Sequence, residues 1–331
     1  MGPDLILLGI GVVIIVLRIY MRVTTFGWKG LMADDYLMLA VVAPYSALAV
    51  AMHISICVCK GLSNDRMTAE QRGSLEPGSE EYSLRIRGAK FVLFSQVLYV
   101  LTMWLTKAAM LAFYKRLTDR FGAYRTRIHV GFLLLGVTWL ADFLATMLSC
   151  QPFYKNWQIN PDPGRQCYPD SAPYNPYGTL CLNITTSLYI LFVPLPILWM
   201  ADTKFWKKLG LVLLISGNGF VIVAACLRSI YMLTTPEDDG EPALRDRWKL
   251  QVCFVALVTT NLPLFFPFIS RWISLLIGAR PTSPQLRTIT TTELSPGSTA
   301  FKSRRFSRAD SGVFAEKDPQ AASKAHAANT V

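Results

Sequence analysis

A chain of 331 residues that is 52% hydrophobic and only 17% charged, with positive mean hydropathy, does not suit a soluble globular protein, because its apolar residues come in long unbroken runs. The formal net charge of +11 is not accompanied by any nucleic-acid motif, and no nucleic-acid partner is expected. Its basic residues are instead distributed as an orientation signal for a membrane protein.

Taken in chain order, the apolar runs are Asp4–Met21, Tyr36–Cys59, Ala89–Tyr114, Ile128–Cys150, Tyr177–Ala201, Leu209–Thr234 and Lys249–Ile277. Each is about as long as the ~20 apolar residues a helix needs to cross the hydrocarbon core. The runs are continuous rather than alternating, so helices are expected and not barrel strands. The first run has no basic residue before it and no small-residue cleavage pattern after it; Arg18 and Arg22 follow it instead. That pattern predicts an uncleaved anchor with its N-terminus outside.

With that orientation, the cytoplasmic segments gather Arg18, Arg22 and Lys29, then Lys115, Arg116, Arg120, Arg125 and Arg127, then Lys204, Lys207 and Lys208. The short second outer loop, Gln151–Pro176, holds only Lys155 and Arg165. The expected fold is an all-α membrane protein: a seven-transmembrane-helix bundle over residues 1–278, N-terminus outside, with a disordered, Ser/Thr-rich cytoplasmic tail over 279–331. In the tail, "KSRRFSRADSG" places basic residues before Ser307 and Ser311, two candidate phosphorylation sites. Phosphate there would weaken attraction to anionic lipid. The first outer loop, Gly61–Arg87, has the composition of a flexible lid or a plain connector.

Cys57, Cys59, Cys150, Cys181, Cys226 and Cys253 lie in the outer halves of their runs, and Cys167 lies in the second outer loop. A Cys150–Cys167 bridge is favoured, and closing a loop of that size is worth ~3 kcal/mol. Cys59 is the competing partner for either residue, and Cys181, Cys226 and Cys253 are expected to be free, buried thiols. His53, His129 and His326 have no ligand-spaced companions, so no metal site is expected.

Ionisable and amide groups inside a membrane mark function or structural pairing. Counted from the outer helix ends, His53, Gln96, Asp142, Asn183, Ser187 and Arg228 fall in a layer ~9–12 Å deep. They predict an outward-facing ligand pocket with Tyr99, Trp139 and Tyr231 as aromatic walls and Asp142 and Arg228 as an ion pair. Hydrogen bonding between helices is the competing use of the same groups. Lys107, nearer the cytoplasmic end, is expected to snorkel or to meet Asn218 and Asn261. Asp34 and Asp35 open the second helix, where they complement its dipole and can pair with Arg18, Arg22 or Lys29. Pro263, with Asn261, forms a candidate hinge or fixed kink in the last helix, where the side chains of Thr259, Thr260 and Asn261 can re-satisfy the backbone.

No Ser/His/Asp grouping, phosphate-binding loop or carboxylate cluster appears, so no enzyme is expected. A microbial retinal protein needs a lysine in the middle of the seventh helix; Asn261 stands there and Lys249 lies only at its mouth. Neither retinal nor any other cofactor is expected.

The segments "ADDYLMLA", "KAAMLAFYKRL", "CQPFYKNW", "NITTSLYILFVPLPILW", "ISGNGFVIVAACLRSIY" and "FVALVTTNLPLFFPFISRW" closely resemble the fungal seven-helix membrane proteins labelled "rhodopsin domain" by fold. The resemblance covers about residues 18–278. It implies a multi-pass protein of the plasma membrane, receptor-like, sensing a small molecule or surface cue and engaging a cytoplasmic signalling protein. A metabolite transporter, or an accessory membrane protein of a secondary-metabolite pathway, is the alternative. Matching positions are Asp34, Asp35, Lys107, Cys150, Cys167, Asn183, Pro194, Pro196, Arg228, Asn261 and Pro263. Departures are Ser187, where many members carry Asp, and Gln251-Val252, where many carry Arg-Glu.

Overall fold

The computed structural model describes residues 3–65, 67–118, 122–168, 174–195, 205–234 and 242–276, all within one compact unit, Met1–Pro281. Ser307, Ser311, Pro196 and the tail lie outside the described residues. The described residues form helices and turns with no strand. Seven helices are long: α1 (Pro3–Phe26), α2 (Ala33–Cys57), α3 (Glu80–Thr118), α4 (Gly122–Leu148), α5 (Tyr174–Phe192), α6 (Phe205–Thr234) and α7 (Pro242–Leu276). Among the described residues, α1, α2, α3 and the Tyr124–Leu148 part of α4 are long and apolar enough to cross a bilayer; the apolar part of α5, Tyr177–Phe192, is shorter.

Each helix packs on the next in chain order, and α1 closes the ring on α7. Two contacts with the same sequence offset fix α1 and α7 as parallel neighbours. Asp4 pairs with Arg247 at 3.4 Å, and fourteen residues further along both helices Arg18 donates to Asn261 Oδ1 at 3.1 Å. The most enclosed helix is α3, which touches α2, α4, α5 and α7; 72% of its apolar window is buried, against 22% for α1. The outer face of α4 presents Leu133, Val137, Leu140, Leu144 and Leu148 as an exposed stripe at helical spacing. Such a stripe is stable only where its surroundings are as apolar as it is, which is the lipid bilayer.

The 39 residues of α3 span roughly 58 Å, far more than the ~30 Å hydrocarbon core. Its first turns therefore rise out of the membrane. They begin at Glu80, not near Ala89, and they carry the end of the bundle that holds the disulfide, here called the cap. Gly88 allows this close docking: a Cβ there would lie 1.8 Å from the Leu62 carbonyl oxygen.

The cap overturns the reading of Gly61–Arg87 as a plain connector. Thr68 caps a six-residue helix, Ala69–Ser74, with its hydroxyl accepting from the Gln71 N–H at 3.2 Å. That helix delivers Arg72, 3% exposed, into the second loop. Arg72 donates to the Ile159 carbonyl at 3.0 Å, to the Tyr168 hydroxyl at 2.9 Å and to the Asn64 carbonyl. Asn64 donates to the carbonyls of Asn156 and Gln158 at 3.0 and 3.2 Å. Cys150 and Cys167 are joined by a disulfide, and Cys59 is free and buried. Cys253 is a buried thiol as expected, whereas Cys181 is exposed and Cys226 half-buried, because those positions on α5 and α6 face away from the ring.

Candidate functional site

The polar side chains within the ring occupy successive depths rather than one layer. Gln96 and Lys107 both lie on α3 but are separated by eleven residues, roughly 16 Å at the helical rise. Counting from the helix ends separated these two but placed Asn183 and Ser187 beside Gln96, whereas Asn183 meets Lys107.

Nearest the cap, Gln96 is fully buried, and neither its amide oxygen nor its amide nitrogen has a hydrogen-bond partner among the described residues. One turn deeper on the same face, the Tyr99 ring lies under the Arg228 guanidinium, 4.7 Å from carbon to ring centroid. Arg228 is 3% exposed and its Nε is unpartnered. Trp104 Nε1 of α3 donates to Thr138 Oγ1 of α4 at 2.9 Å, which sets the register of this antiparallel pair. Asp142, one turn nearer the cap than Thr138, is therefore level with Tyr99. Its Oδ1 accepts from Thr179 Oγ1 at 2.9 Å and from the Tyr174 hydroxyl at 3.1 Å; its Oδ2 is unpartnered. Asp142 acts electrostatically on both Arg228 and Lys107. The expected Asp142–Arg228 ion pair is not formed: no carboxylate of the described residues lies within 4.0 Å of Arg228, and its guanidinium rests on Tyr99 instead.

One level deeper, the Lys107 ammonium donates to the Asn183 carbonyl at 2.9 Å, to Thr186 Oγ1 at 2.6 Å and to Asn183 Oδ1. Trp104 offers its ring 5.0 Å away. Lys107 thus neither snorkels nor reaches Asn218 or Asn261. A long amine surrounded by three acceptors on the facing helix has no reason to extend towards the interface. Asn218 Nδ2 donates to the Ser187 carbonyl at 2.7 Å, and Ser187 Oγ is unpartnered. Ser187 therefore belongs to this lower level and not with Gln96.

At the base, Arg18 binds Asp34 at 2.7 Å and Asp35 at 3.0 Å. Arg22 approaches both carboxylates at 3.5 Å, and Arg116 of α3 lies 3.9 Å from Asp34. Asp35 also accepts from the Met32 N–H at 3.2 Å, so one carboxylate both starts α2 and anchors α1. Asn261 accepts from Arg18 and donates to the Leu257 carbonyl at 2.7 Å. Around half-buried Pro263, α7 stays helical; Thr259, Thr260 and Asn261 bond the carbonyls of Ala256 and Leu257, not that of Thr259.

His53 does not enter the interior site. It is half-buried near the end of α2, with Nδ1 3.7 Å from Cys57 Sγ. Trp139 stacks on Phe143 at 5.7 Å, and Tyr231 packs at 6.0 Å from Trp248. Tyr174, Thr179 and Thr186 are the partners that the sequence reading missed. Thr179, Asn183 and Thr186 recur at helical spacing on one face of α5, and that polar stripe is the signal that marks them.

Outside the ring, the second loop and the first turns of α3 enclose a cleft of ≈ 490 Å³ walled by Tyr82, Tyr154, Trp157 and Asp162. The Gly164 N–H and the Tyr168 hydroxyl, both donating to Asp162, hold its carboxyl below its usual value, with Arg72 adding to the effect. Burial pushes the Cys59 thiol up. Among the described residues no group of three His, Cys, Asp or Glu side chains could hold a metal.

A family model described as "Fungal rhodopsin domain" matches residues 17–271. No curated protein and no solved structure matches the chain.

Proposed function

The chain belongs to the fungal rhodopsin domain family and is an integral membrane protein; on that premise we propose that it is a receptor-like, seven-span protein of the plasma membrane. It takes a small molecule between α3, α4 and α6 near the cap and passes the bound state to a cytoplasmic partner through its cytoplasmic loops and tail. The observation that carries this reading is the set of orphaned polar atoms in the uppermost level: both amide atoms of Gln96, Asp142 Oδ2 and Arg228 Nε. Buried polar groups are nearly always hydrogen-bonded, and each one left unmade costs ~1–3 kcal/mol. Four such atoms, from three helices near one level of the ring, fit a site built for an added polar molecule.

The parallel course of α1 and α7 supports an odd number of crossings. A cap stapled by a disulfide suits the oxidising side, and the arginines at the base suit the cytoplasmic side. A metabolite transporter is the second reading, favoured by the polar side chains continuing at successive depths from Gln96 through Lys107 and Asn218 to Asn261. Cysteine accessibility separates the two. The free thiols Cys57, Cys59, Cys181, Cys226 and Cys253 are replaced by Ala, and Gln96→Cys, Asp142→Cys and Ser187→Cys are introduced singly. A membrane-impermeant thiosulfonate should modify the first two from the cap side only. Modification of Ser187→Cys from both sides would favour the transporter; no modification from either side would leave only a sealed structural network.

A further inference from the structure

The charges around the proposed pocket say what kind of molecule it takes. Two cationic side chains, Arg228 and Lys107, lie within electrostatic reach of the Asp142 carboxylate here. All three are at least nine-tenths buried. The Lys107 amine makes three hydrogen bonds, to Asn183 O, Asn183 Oδ1 and Thr186 Oγ1. Its acceptors are all uncharged. Arg228, permanently charged, has an aromatic face and, among the described residues, no carboxylate within ion-pair distance. Among the described residues Asp142 is thus the carboxylate within electrostatic reach of both cations, and a third buried cation, Lys249, donates to Ser95 Oγ beside Gln96 at 3.3 Å. Burying a charge without a counter-ion is strongly unfavourable.

The orphaned atoms divide the same way. Arg228 Nε and Gln96 Nε2 are donors without acceptors, and Asp142 Oδ2 is an acceptor without a donor. Gln96 Oε1 is a second free acceptor. We infer that the pocket binds a small organic monocarboxylate that also bears a hydroxyl or amine donor: its carboxylate supplies an anion to Arg228 and Gln96 Nε2, and its donor reaches Asp142 Oδ2. The Tyr99 ring, already covered by Arg228, closes one side. This inference rests on the pocket proposed above and adds its ligand chemistry.

The test uses the full chain in lipid nanodiscs, with the thermal midpoint followed at matched ionic strength in small probes that share a three-carbon skeleton: lactate, propionate, 1,2-propanediol and propylammonium. Lactate should raise the midpoint most and propionate less, while the diol and the amine leave it unchanged. Arg228→Met should weaken the lactate response at least about tenfold, the loss expected for one charged hydrogen-bond partner. Gln96→Leu, which removes no charge, should weaken it less and guards against a variant that fails to fold. Asp142→Asn, whose amide can accept but turns one oxygen into a donor, should erase the advantage of lactate over propionate. A midpoint raised by propylammonium, a diol as effective as lactate, or no response to either carboxylate overturns the inference. If Gln96→Cys and Asp142→Cys are still modified from the cap side in that event, the pocket stands and only its ligand class is wrong; if they are not, both fail.

Discussion

At the level of single residues, burial and partner count decide what each polar group does, not residue type. Lys107 looked like an amine that would seek the interface, yet it is 5% exposed and held by α5. Its partner Asn183 provides two of the three acceptors, one of them the side-chain oxygen. Asn183→Leu therefore leaves a buried ammonium one acceptor short, a loss of about 1.5–3 kcal/mol for a hydrogen bond to a charged group. Adding Lys107→Met removes the charge itself. The double variant should then be more stable than Asn183→Leu alone, because an apolar replacement of both members leaves less unpaired charge. Unfolding in mixed micelles checks this, and a double variant weaker than the single one would show that Lys107 does not depend on Asn183.

At the level of elements, the first outer loop, which reads as a flexible lid or a plain connector, forms one ordered cap with the disulfide-closed second loop, because a single arginine from the first finds acceptors in the second. The buried Arg72 bonds two carbonyls and a tyrosine hydroxyl, and its plane also lies 5.2 Å from the Tyr168 ring centroid. Lysine cannot reproduce that fork. Arg72→Lys and Arg72→Met should both accelerate amide exchange across Phe153–Cys167 while leaving the middle of α3 protected. The same loop should carry a pH signature. The folded Asp162 carboxyl lies below its reference value of 3.8, so its contribution to the cap is present above that value and is lost as pH falls through the lowered folded one. Its side chain is 56% exposed, so solvent screening keeps the effect small. Exchange corrected for intrinsic rate should rise over that acidic window in the parent chain and not in Asp162→Asn; the same rise in both would assign it to another group.

At the level of the whole molecule, the ring is closed at its base by charge and at its cap by covalent and hydrogen bonds. Arg18 is the junction, joining Asp34 and Asp35 of α2 to Asn261 of α7. Arg18→Met leaves the two buried carboxylates only the longer contacts of Arg22 and Arg116 and should cost up to about 3–5 kcal/mol. In a double-mutant cycle, Arg18→Met and Asp35→Asn should fall short of additivity by more than about 1 kcal/mol; strict additivity would mean that the base is not one network. Much of this architecture was legible beforehand. The apolar runs, the bridge between Cys150 and Cys167, and Asp34 and Asp35 as partners of Arg18 and Arg22 all follow from local composition and near neighbours in the chain. The depths of Asn183 and Ser187 did not, because a count along α5 does not say which residues of α3 that helix faces. Nor did the choice of partner. Lys107 and Asn183 are separated by 76 residues, and Arg18 and Asn261 by 243. Sequence by itself determined that this chain is a helical membrane protein, since the cost of leaving backbone unpaired in lipid is paid locally, residue by residue, within each helix. Tertiary structure alone decided which buried donors meet acceptors and which are left facing inward, because that depends on the rotation and height of one helix against another, and the apolar runs specify neither.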